Sequence, residues 1–362
     1  MHAIRLNLKK RSYNILVGCD ILKQLGAYLT RLNIGRDAYI ITNALIRKKY
    51  GKALENTLKR SGFGVKFKAV PDTEKSKSIE TAAGAIKDIA FYDKKKRIFI
   101  IAFGGGVIGD LGGFVASIYK RGIPYIQIPT TLLAQVDSSI GGKTAVDLSE
   151  GKNLVGAFYQ PRLVFSDVKF IATLKPRQMR SGLAEVIKYA LIKDAKLFDY
   201  LEVKYKDALT FKKAALTHII GRCSSIKAGV VQQDEREEKG IRTILNFGHT
   251  AGHAIEAAAK YKGYTHGEAI ALGMLVAADM SRKLSLINEA SVERIETLIQ
   301  KVGLPVEIRN VKLGDIVNAH YRDKKFIGER NRFVLITAIG RTKIVENIPL
   351  EIIIESLRKR LF

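Results

Sequence analysis

Cysteine is scarce in this chain, since Cys19 and Cys223 are its only two and they lie far apart in the sequence. So few cysteines cannot build a disulfide framework, and this content is typical of proteins from a reducing compartment. No uninterrupted apolar run approaches the roughly 20 residues that a membrane-spanning helix requires. The first nine residues alternate like a strand and lack the apolar core of a signal peptide. We therefore expect a cytoplasmic protein with no membrane partner.

Acidic residues are also outnumbered, because 35 aspartates and glutamates face 61 lysines and arginines, which gives a formal net charge of +26. Such a charge is typical of proteins that bind nucleic acid, anionic membranes or phosphorylated substrates. The basic residues are scattered along the whole chain, and zinc-finger, KH and RRM signatures are missing from the sequence. We expect no nucleic-acid partner, and the alternatives are a solvated lysine-rich surface and a phosphorylated substrate.

The chain is too long for one comfortable hydrophobic core, so its 362 residues predict two domains. Residues 1–173 alternate strands and helices, which predicts a mostly parallel sheet with helices on its faces. The predicted strands lie at 38–42, 65–70, 97–103 and 125–128, and a predicted helix lies at 78–92. Residues 174–362 are mostly helical, with predicted helices at 178–190, 210–233, 249–259, 268–284 and 290–302 and a small strand pair around Gly340.

Histidine is rare as well, with six residues, but His249, His253 and His266 fall close together. On a helix, His249 and His253 share one face, and a break at 262–265 lets His266 return to the same point. Three converging imidazoles predict a metal site or a proton relay, and the alternative is a pair of surface histidines. Thr250 follows His249, so the H-E-x-x-H pattern of zinc proteases is absent. A carboxylate ligand must then come from elsewhere, and Glu185 on a helical pattern is the candidate.

Glycine is concentrated after the predicted strand at 97–103, at positions 104–106, 109, 112 and 113. Glycines between a strand and a helix let the backbone approach a pyrophosphate, and the helix N-terminus favours the anion. The alternative is a tight turn that needs glycine for positive φ. Further along, Thr130 and Thr131 follow a strand, and Gly141-Gly142-Lys143 and Gly151-Lys152-Asn153 place lysines beside flexible loop backbone, which suits phosphate.

Six blocks resemble the 3-dehydroquinate synthase family of sugar phosphate cyclases, and the resemblance runs over residues 14–354. The blocks read GGGVIGDLGGF, YKRGIPYIQIPTTLLAQVDSSIGGKTAV, GKNLVGAFYQP, GLAEVIKYALI, LNFGHTAGHAIE and HGEAIALGM. The resemblance implies a Rossmann-like N-terminal domain that binds NAD and an α-helical C-terminal domain that binds a divalent metal, Zn²⁺ or Co²⁺. It implies conversion of 3-deoxy-arabino-heptulosonate 7-phosphate to 3-dehydroquinate and phosphate, through transient oxidation, phosphate elimination, re-reduction and intramolecular aldol closure.

The resemblance also implies roles for individual residues. The implied metal ligands are Glu185, His249 and His266, and the implied catalytic residues are His253, Lys143, Lys188, Asp137 and Glu237. The implied substrate contacts are Arg121, donated by a second subunit of a homodimer, and Lys143, Asn153, Lys188, Lys227, Arg242, Asn246 and Lys324. The implied cofactor contacts are Asn43, Asp72, Thr73, Glu74, Lys75, Ser76, Lys77, Gly105, Gly106, Val107, Ile108, Gly109, Asp110, Thr130, Thr131, Leu133, Asp137, Lys143, Lys152, Phe170, Ile171, Ala172 and Thr173.

The sequence departs from the family pattern at three places. Asp147 stands where asparagine is usual, which adds a negative charge near the nucleotide. The stretch 234–240 is one residue longer than usual, so Glu237 and Glu238 are alternatives for the proton relay. Lys324 and Lys325 are adjacent, so either could contact the phosphate.

Two related activities remain as alternatives. One is another sugar phosphate cyclase, of the 2-deoxy-scyllo-inosose synthase type, whose substrate lacks the carboxylate; Arg242, Asn246 and Lys227 argue for an acidic substrate instead. The other is a metal-dependent polyol dehydrogenase, which would release NADH and would not need so many phosphate-directed cations.

Overall fold

The computed structural model of the protein describes residues 1–71, 73–322 and 331–362. The chain divides into two compact units. Unit 1 comprises Met1–Thr173 and Lys227–Arg236, and unit 2 comprises Leu174–Ile226 and Glu237–Phe362. The sequence predicts a single domain over 174–362, whereas the structure groups the short segment Lys227–Arg236 with unit 1.

Unit 1 is built on a parallel sheet. Its strands are β1 His2–Leu6, β2 Tyr13–Gly18, β3 Asp37–Asn43, β4 Gly64–Val70, β5 Ile98–Gly104, β6 Tyr125–Pro129, β7 Lys143–Leu148, β8 Gly151–Phe158 and β9 Leu163–Asp167. Its α-helices within Met1–Thr173 are α1 Leu25–Leu32, α2 Ala44–Ile46, α3 Lys52–Arg60, α4 Ile79–Tyr92 and α5 Gly106–Ile118. The seven-stranded sheet has the order β1-β2-β9-β6-β5-β3-β4, and β1 alone within it pairs antiparallel to its neighbour. The α/β fold predicted from the sequence is confirmed.

Strand β5 shows why the strands at the centre of this sheet are continuously apolar. All of its residues are buried, because both faces of the sheet are covered. Phe99, Ile101 and Phe103 contribute to one core cluster. Ile98, Ile100 and Ala102 contribute to the other, as the alternation of side chains along a strand requires.

The glycines of α5 are explained mainly by packing. A Cβ added at Gly112 would lie 2.9 Å from the Cβ of Ala102 on β5, and one added at Gly113 would lie 2.4 Å from Cγ2 of Thr144 on β7. Gly112 and Gly113 therefore let the helix lie close against its neighbours, and phosphate binding by the glycines before them stays a prediction. The alternative of a positive-φ turn is wrong, because Gly105 caps the helix with an extended backbone at φ −78°.

Strands β7 and β8 form an antiparallel hairpin, whereas the sequence predicts loops there. That expectation was wrong for Lys143, Lys152 and Asn153, which lie on the hairpin strands. Alternation is present but short: Thr144 and Val146 are buried, and the Thr144 hydroxyl donates a hydrogen bond of 2.9 Å to the carbonyl oxygen of Ala157. The neighbouring glycines masked this period-two pattern.

Unit 2 is mostly helical, as predicted. Its helices include α6 Pro176–Lys193, α7 Ala195–Leu209, α9 His249–Ala258, α10 His266–Lys283, α11 Glu289–Val302, α12 Leu313–Arg322 and α13 Leu350–Arg358, and α8 Lys213–Gln233 continues into residues of unit 1. Strands β10 Arg332–Ala338 and β11 Arg341–Glu346 form the strand pair expected around Gly340. Helix α10 is buried along most of its length. Within the described ranges, no helix has the length and apolarity needed to cross a membrane.

Candidate metal centre and nucleotide site

Three side chains of unit 2 converge as the histidine spacing predicted. Glu185 lies in the middle of α6, and His249 and His266 are the first residues of α9 and α10. Oε1 of Glu185 lies 3.5 Å from Nε2 of His249 and 3.4 Å from Nε2 of His266. The three groups offer ligand atoms that all lie within 4.8 Å of one another.

Close contacts between helix backbones bring these residues together. A Cβ added at Gly273 on α10 would lie 2.0 Å from the carbonyl oxygen of Gly248, which directly precedes α9. A Cβ added at Gly267 on α10 would lie 2.2 Å from the carbonyl oxygen of Ser181 on α6. Because glycine lacks a side chain, α10 can approach both neighbours closely enough for side chains of ordinary length to share one point.

The orientation of each imidazole is set by its second nitrogen. Nδ1 of His249 lies 3.1 Å from the carbonyl oxygen of Phe247, and Nδ1 of His266 lies 3.4 Å from Oε2 of Glu256. An acceptor at Nδ1 favours the tautomer that carries its proton there, which leaves Nε2 as the metal-binding atom. Both Nε2 atoms accordingly point toward Glu185.

The charges around this cluster differ between the two histidines. Burial and the nearby Lys188 ammonium hold the pKa of His249 well below its usual range. Burial also opposes a charge on His266, but its hydrogen bonds to Glu185 and Glu256 outweigh that effect and raise the pKa of His266 to about 10. Lys188, one helical turn after Glu185 and 2% exposed, forms an ion pair with the Glu185 carboxylate. The site therefore concentrates negative charge on Glu185 and Glu256, next to imidazole nitrogens.

This donor set fits a divalent transition metal, because two imidazoles and one carboxylate are the ligands of open catalytic zinc sites. Within the described part of the chain, a second group could also hold a metal, formed by His253, Glu256 and His266. His266 belongs to both groups. The first group fits better, because Glu185 is 1% exposed and both of its histidines are oriented by partners at Nδ1. His253 lies beside it, with its ring centroid 5.2 Å from that of His249.

In unit 1, charged groups predicted for the cofactor and for the substrate meet at Asp110, in the N-terminal half of α5. Nζ of Lys77 lies 2.6 Å from Oδ2 of Asp110 and also donates to the side-chain oxygen of Asn153 on β8. Burial raises the pKa of Asp110, and the Lys77 ammonium acts against that rise. Nearby in sequence, Nζ of Lys152 lies 3.7 Å from Oε1 of Glu74. The predicted lysines Lys77 and Lys152 thus each pair with a predicted carboxylate, Asp110 and Glu74 respectively.

Asp147 has a defined place in the same hairpin. Its Oδ1 accepts a hydrogen bond of 2.8 Å from the backbone N–H of Asn153, which has a left-handed conformation with φ 58°. Its own N–H donates to the carbonyl oxygen of Lys77 at 2.7 Å. The Asp147 side-chain oxygen therefore helps to hold the backbone that presents Asn153.

Two further pairs join predicted residues. In unit 1, Nζ of Lys227 donates to the carbonyl oxygen of Asp137 at 2.7 Å and to its Oδ1 at 2.8 Å. In unit 2, Nε of Arg242, a side chain 2% exposed, lies 3.3 Å from Oε1 of Glu237. Of the two adjacent glutamates, Glu237 is thus the one placed beside a predicted substrate residue.

Two consecutive stretches of the chain match known protein families. Residues 67–181 match the family described as 3-dehydroquinate synthase N-terminal, and residues 182–326 match that described as 3-dehydroquinate synthase C-terminal. The 3-dehydroquinate synthase of Desulforamulus reducens is 44% identical over 350 residues, which cover 96% of this chain and 97% of that protein. The chain belongs to the 3-dehydroquinate synthase family.

Solved structures of related cyclases agree with this family membership. A 2-deoxy-scyllo-inosose synthase complexed with carbaglucose-6-phosphate, NAD⁺ and Co²⁺ has a TM-score of 0.90 at 28% identity, covering 99% of this chain and 100% of that one. The 2-epi-5-epi-valiolone synthase of Streptomyces hygroscopicus, with NAD⁺ and Zn²⁺ bound, has a TM-score of 0.87 at 28% identity, covering 98% of both chains.

The other residues implied by the resemblance have structural contacts, or only a known position in the fold. Asn43 is buried and caps α2 by accepting from the Ile46 N–H, and the Thr131 hydroxyl accepts from the Ala134 N–H. Phe170 and Ile171 are core side chains, so contact with a cofactor would use their backbone atoms. Arg121 has a left-handed backbone conformation with φ 64°, and Asn246 is the last residue of a 3₁₀ helix. The remaining predicted cofactor residues lie at 73–76, 105–109, 130–133 and 172–173. Asp72, Lys324 and Lys325 lie outside the described residues.

Two contacts of this family member were not foreseen. Glu256 is the first, and its signal was present, because His249, His253 and Glu256 follow the spacing of one helix face. The second is a network in unit 1. Glu235 accepts from Arg11, and at 3.0 Å from Gln160, whose amide also donates to the carbonyl oxygen of Gly141. Its partners are distant in sequence, so no local pattern indicated it.

Proposed function

We propose that this chain converts 3-deoxy-arabino-heptulosonate 7-phosphate to 3-dehydroquinate and phosphate, with NAD and one divalent metal, Zn²⁺ or Co²⁺. The observation that carries the proposal is the convergence of Glu185, His249 and His266 in a member of this family. Similarity over nearly the full length of a 3-dehydroquinate synthase supports the same reaction.

The chain's own residues hold and orient the reacting groups. Glu185, His249 and His266 would hold the metal, and the segments 73–77, 105–110 and 130–133 would hold NAD. When bound, the metal supplies a Lewis acid that polarises hydroxyl groups, and NAD supplies a reversible hydride acceptor. Lys188 keeps a positive charge beside Glu185 inside the protein, where electrostatic attraction is stronger than in water.

The acidic substrate is matched by buried cations. Arg242 and Lys188 are each 2% exposed and Lys227 is 6% exposed, so their charges are held away from water. A substrate carboxylate gains more from such cations than from mobile surface lysines. We assign Arg242, Lys227, Lys188 and Asn246 to the carboxylate and ring hydroxyls, and Lys143, Asn153, Arg121 and Lys324 to the phosphate.

Proton transfer is assigned to His253. It follows His249 by one turn of α9, and its ring approaches both other histidines without contributing to the Glu185 group. Glu237, paired with Arg242, and Asp137, paired with Lys227, would hold the substrate-binding cations in place. We also assign a homodimer, with Arg121 reaching the partner's substrate, and a cytoplasmic location.

The test is a turnover assay of the purified protein with 3-deoxy-arabino-heptulosonate 7-phosphate and catalytic NAD⁺, with and without EDTA. We expect release of phosphate and formation of 3-dehydroquinate without net NADH, loss of both on chelation, and recovery on addition of Zn²⁺ or Co²⁺.

Matched substrates separate the alternatives. Glucose 6-phosphate carries the phosphate but no carboxylate, so we expect no cyclisation of it, and turnover would indicate a cyclase of the other type. Accumulation of NADH with glycerol would indicate a polyol dehydrogenase. An Arg242→Gln variant should lose affinity for the acidic substrate more than it loses maximal rate.

A further inference from the structure

The ring of His266 lies between two carboxylates. Its Nε2 lies 3.4 Å from Oε1 of Glu185, and its Nδ1 lies 3.4 Å from Oε2 of Glu256. Glu256 belongs to α9 and His266 to α10, so the contact also links the two helices. One imidazole can use both nitrogens at once, one toward a metal and one toward a hydrogen-bond acceptor.

The two histidines of the group have acceptors of different charge. The Nδ1 atom of His249 faces a neutral carbonyl oxygen, that of Phe247, only two residues away. The Nδ1 atom of His266 faces a carboxylate that comes from another helix. A carboxylate acceptor fixes the ring and raises the basicity of the opposite nitrogen more than a neutral acceptor does. Glu256 is 13% exposed, so solvent screens this interaction only in part.

We propose that Glu256 is a positioning residue of the metal centre: it holds His266 in the tautomer and orientation that direct Nε2 toward Glu185, and it thereby sets the affinity for the divalent metal. The proposal rests on the proposed function, because it takes Glu185, His249 and His266 as the metal ligands.

The geometry distinguishes this role from direct ligation. If Glu256 were a ligand, the metal would lie in the group formed by His253, Glu256 and His266. That group lacks Glu185, which is 1% exposed and lies within 3.5 Å of two imidazole nitrogens. If Glu185 instead binds the metal, Glu256 can accept a hydrogen bond from Nδ1 of His266 at the same time. Each carboxylate then has its own role.

The test measures metal affinity in the absence of substrate and NAD. Zn²⁺ and Co²⁺ are titrated against a competing chelator with the wild-type protein and with Glu256→Gln and Glu256→Ala. Removal of such a partner typically weakens metal binding roughly 10–100-fold. We expect that loss for Glu256→Ala and a smaller loss for Glu256→Gln, whose amide oxygen still accepts from Nδ1. The control is Glu293→Gln, which removes the same charge from an exposed position of α11 and should leave affinity unchanged.

Two further variants and a spectrum decide the outcome. Glu185→Gln should weaken metal binding far more than Glu256→Ala, His253→Ala should leave it nearly unchanged, and the Co²⁺ absorption of Glu256→Gln should match the wild type. Unchanged affinity in Glu256→Ala would overturn the proposal. So would a pattern in which His253→Ala and Glu256→Ala weaken binding most and alter the Co²⁺ spectrum, because Glu256 would then be a ligand. Metal binding is measured without turnover, so neither result depends on which sugar phosphate the enzyme uses.

Discussion

The metal centre of unit 2 and the glycine-rich edge of unit 1 use glycine for close packing in different ways. In unit 2, Gly267 and Gly273 let helices approach one another's backbones, and side chains at helix starts then converge. In unit 1, Gly112 and Gly113 let α5 lie against strands, and the polar groups come from ion pairs and a hairpin. The first site depends on helix spacing, whereas the second depends on pairs of charges.

This difference determines how each site would fail. A displaced helix in unit 2 would separate every ligand from its neighbours without removing any of them. In unit 1, loss of one charge would leave its partner in a poorly solvated position, while the sheet beneath would remain. Substitutions that touch no proposed ligand should therefore have the largest effect in unit 2.

The largest effect is expected for Gly273→Ala. The added Cβ would meet the Gly248 carbonyl oxygen at 2.0 Å and the Gly252 nitrogen at 2.6 Å, and backbone atoms can yield only if α9 and α10 separate. We expect a loss of about 3 kcal/mol or more in the free energy of unfolding. Metal affinity should fall as well, although every ligand is retained. Denaturant unfolding and chelator competition measure the two effects.

The control for this substitution is Gly229→Ala on α8, where an added Cβ would have no heavy atom within 4 Å. Alanine is favoured over glycine inside a helix by up to about 1 kcal/mol, so the control should be neutral or slightly stabilising. If both variants were equally stable and bound metal equally well, close helix contact would not be what assembles the metal centre.

An intermediate effect is expected for Lys77→Met in unit 1, which leaves Asp110 and Asn153 without their ammonium partner. We expect a loss of about 2 kcal/mol near neutral pH, because a largely buried carboxylate loses its partner. The loss should depend on pH. Burial raises the pKa of Asp110 in the folded protein above its value in the unfolded chain. Ionisation of Asp110 therefore destabilises the fold as pH rises. Removal of the Lys77 ammonium raises the pKa of folded Asp110 further, so this destabilisation grows.

The measurement is denaturant unfolding at about pH 5 and about pH 8, above the unfolded aspartate pKa of about 4. The difference between wild type and Lys77→Met should be larger at the higher pH. Lys75→Met, at an exposed position two residues away, is the matched control and should change little at either pH. An equal loss at both pH values would show that Asp110 is not the group that Lys77 stabilises.

The two sites also differ in how far the sequence predicted them. His249 and His253 lie one turn apart on a single helix, so the histidine cluster could be inferred locally, and Glu256 continues the same face. Glu185 could be proposed from the chemistry of the missing ligand. The contacts of Lys77 with Asp110 and Asn153 span 33 and 76 residues, so no local pattern indicates them. The hairpin at 143–158 was missed because glycines hide its alternation, and the close contacts of Gly112 and Gly113 were missed because packing is invisible in a sequence.

The smallest effect is expected at Asp147, where the resemblance described above implies asparagine. An asparagine side-chain oxygen can still accept from the Asn153 N–H, so Asp147→Asn should change stability by less than about 0.5 kcal/mol. It removes one negative charge from the hairpin that carries Lys152 and Asn153, so NAD⁺, whose phosphates are anionic, should bind slightly more tightly, by about twofold to threefold at low salt. Isothermal titration measures this change.

Glu150→Gln removes a charge from the hairpin turn without touching Asn153 and serves as the control. Weaker NAD⁺ binding by Asp147→Asn would mean that the carboxylate itself orders the turn, and that the hairpin depends on charge as the Lys77 pair does.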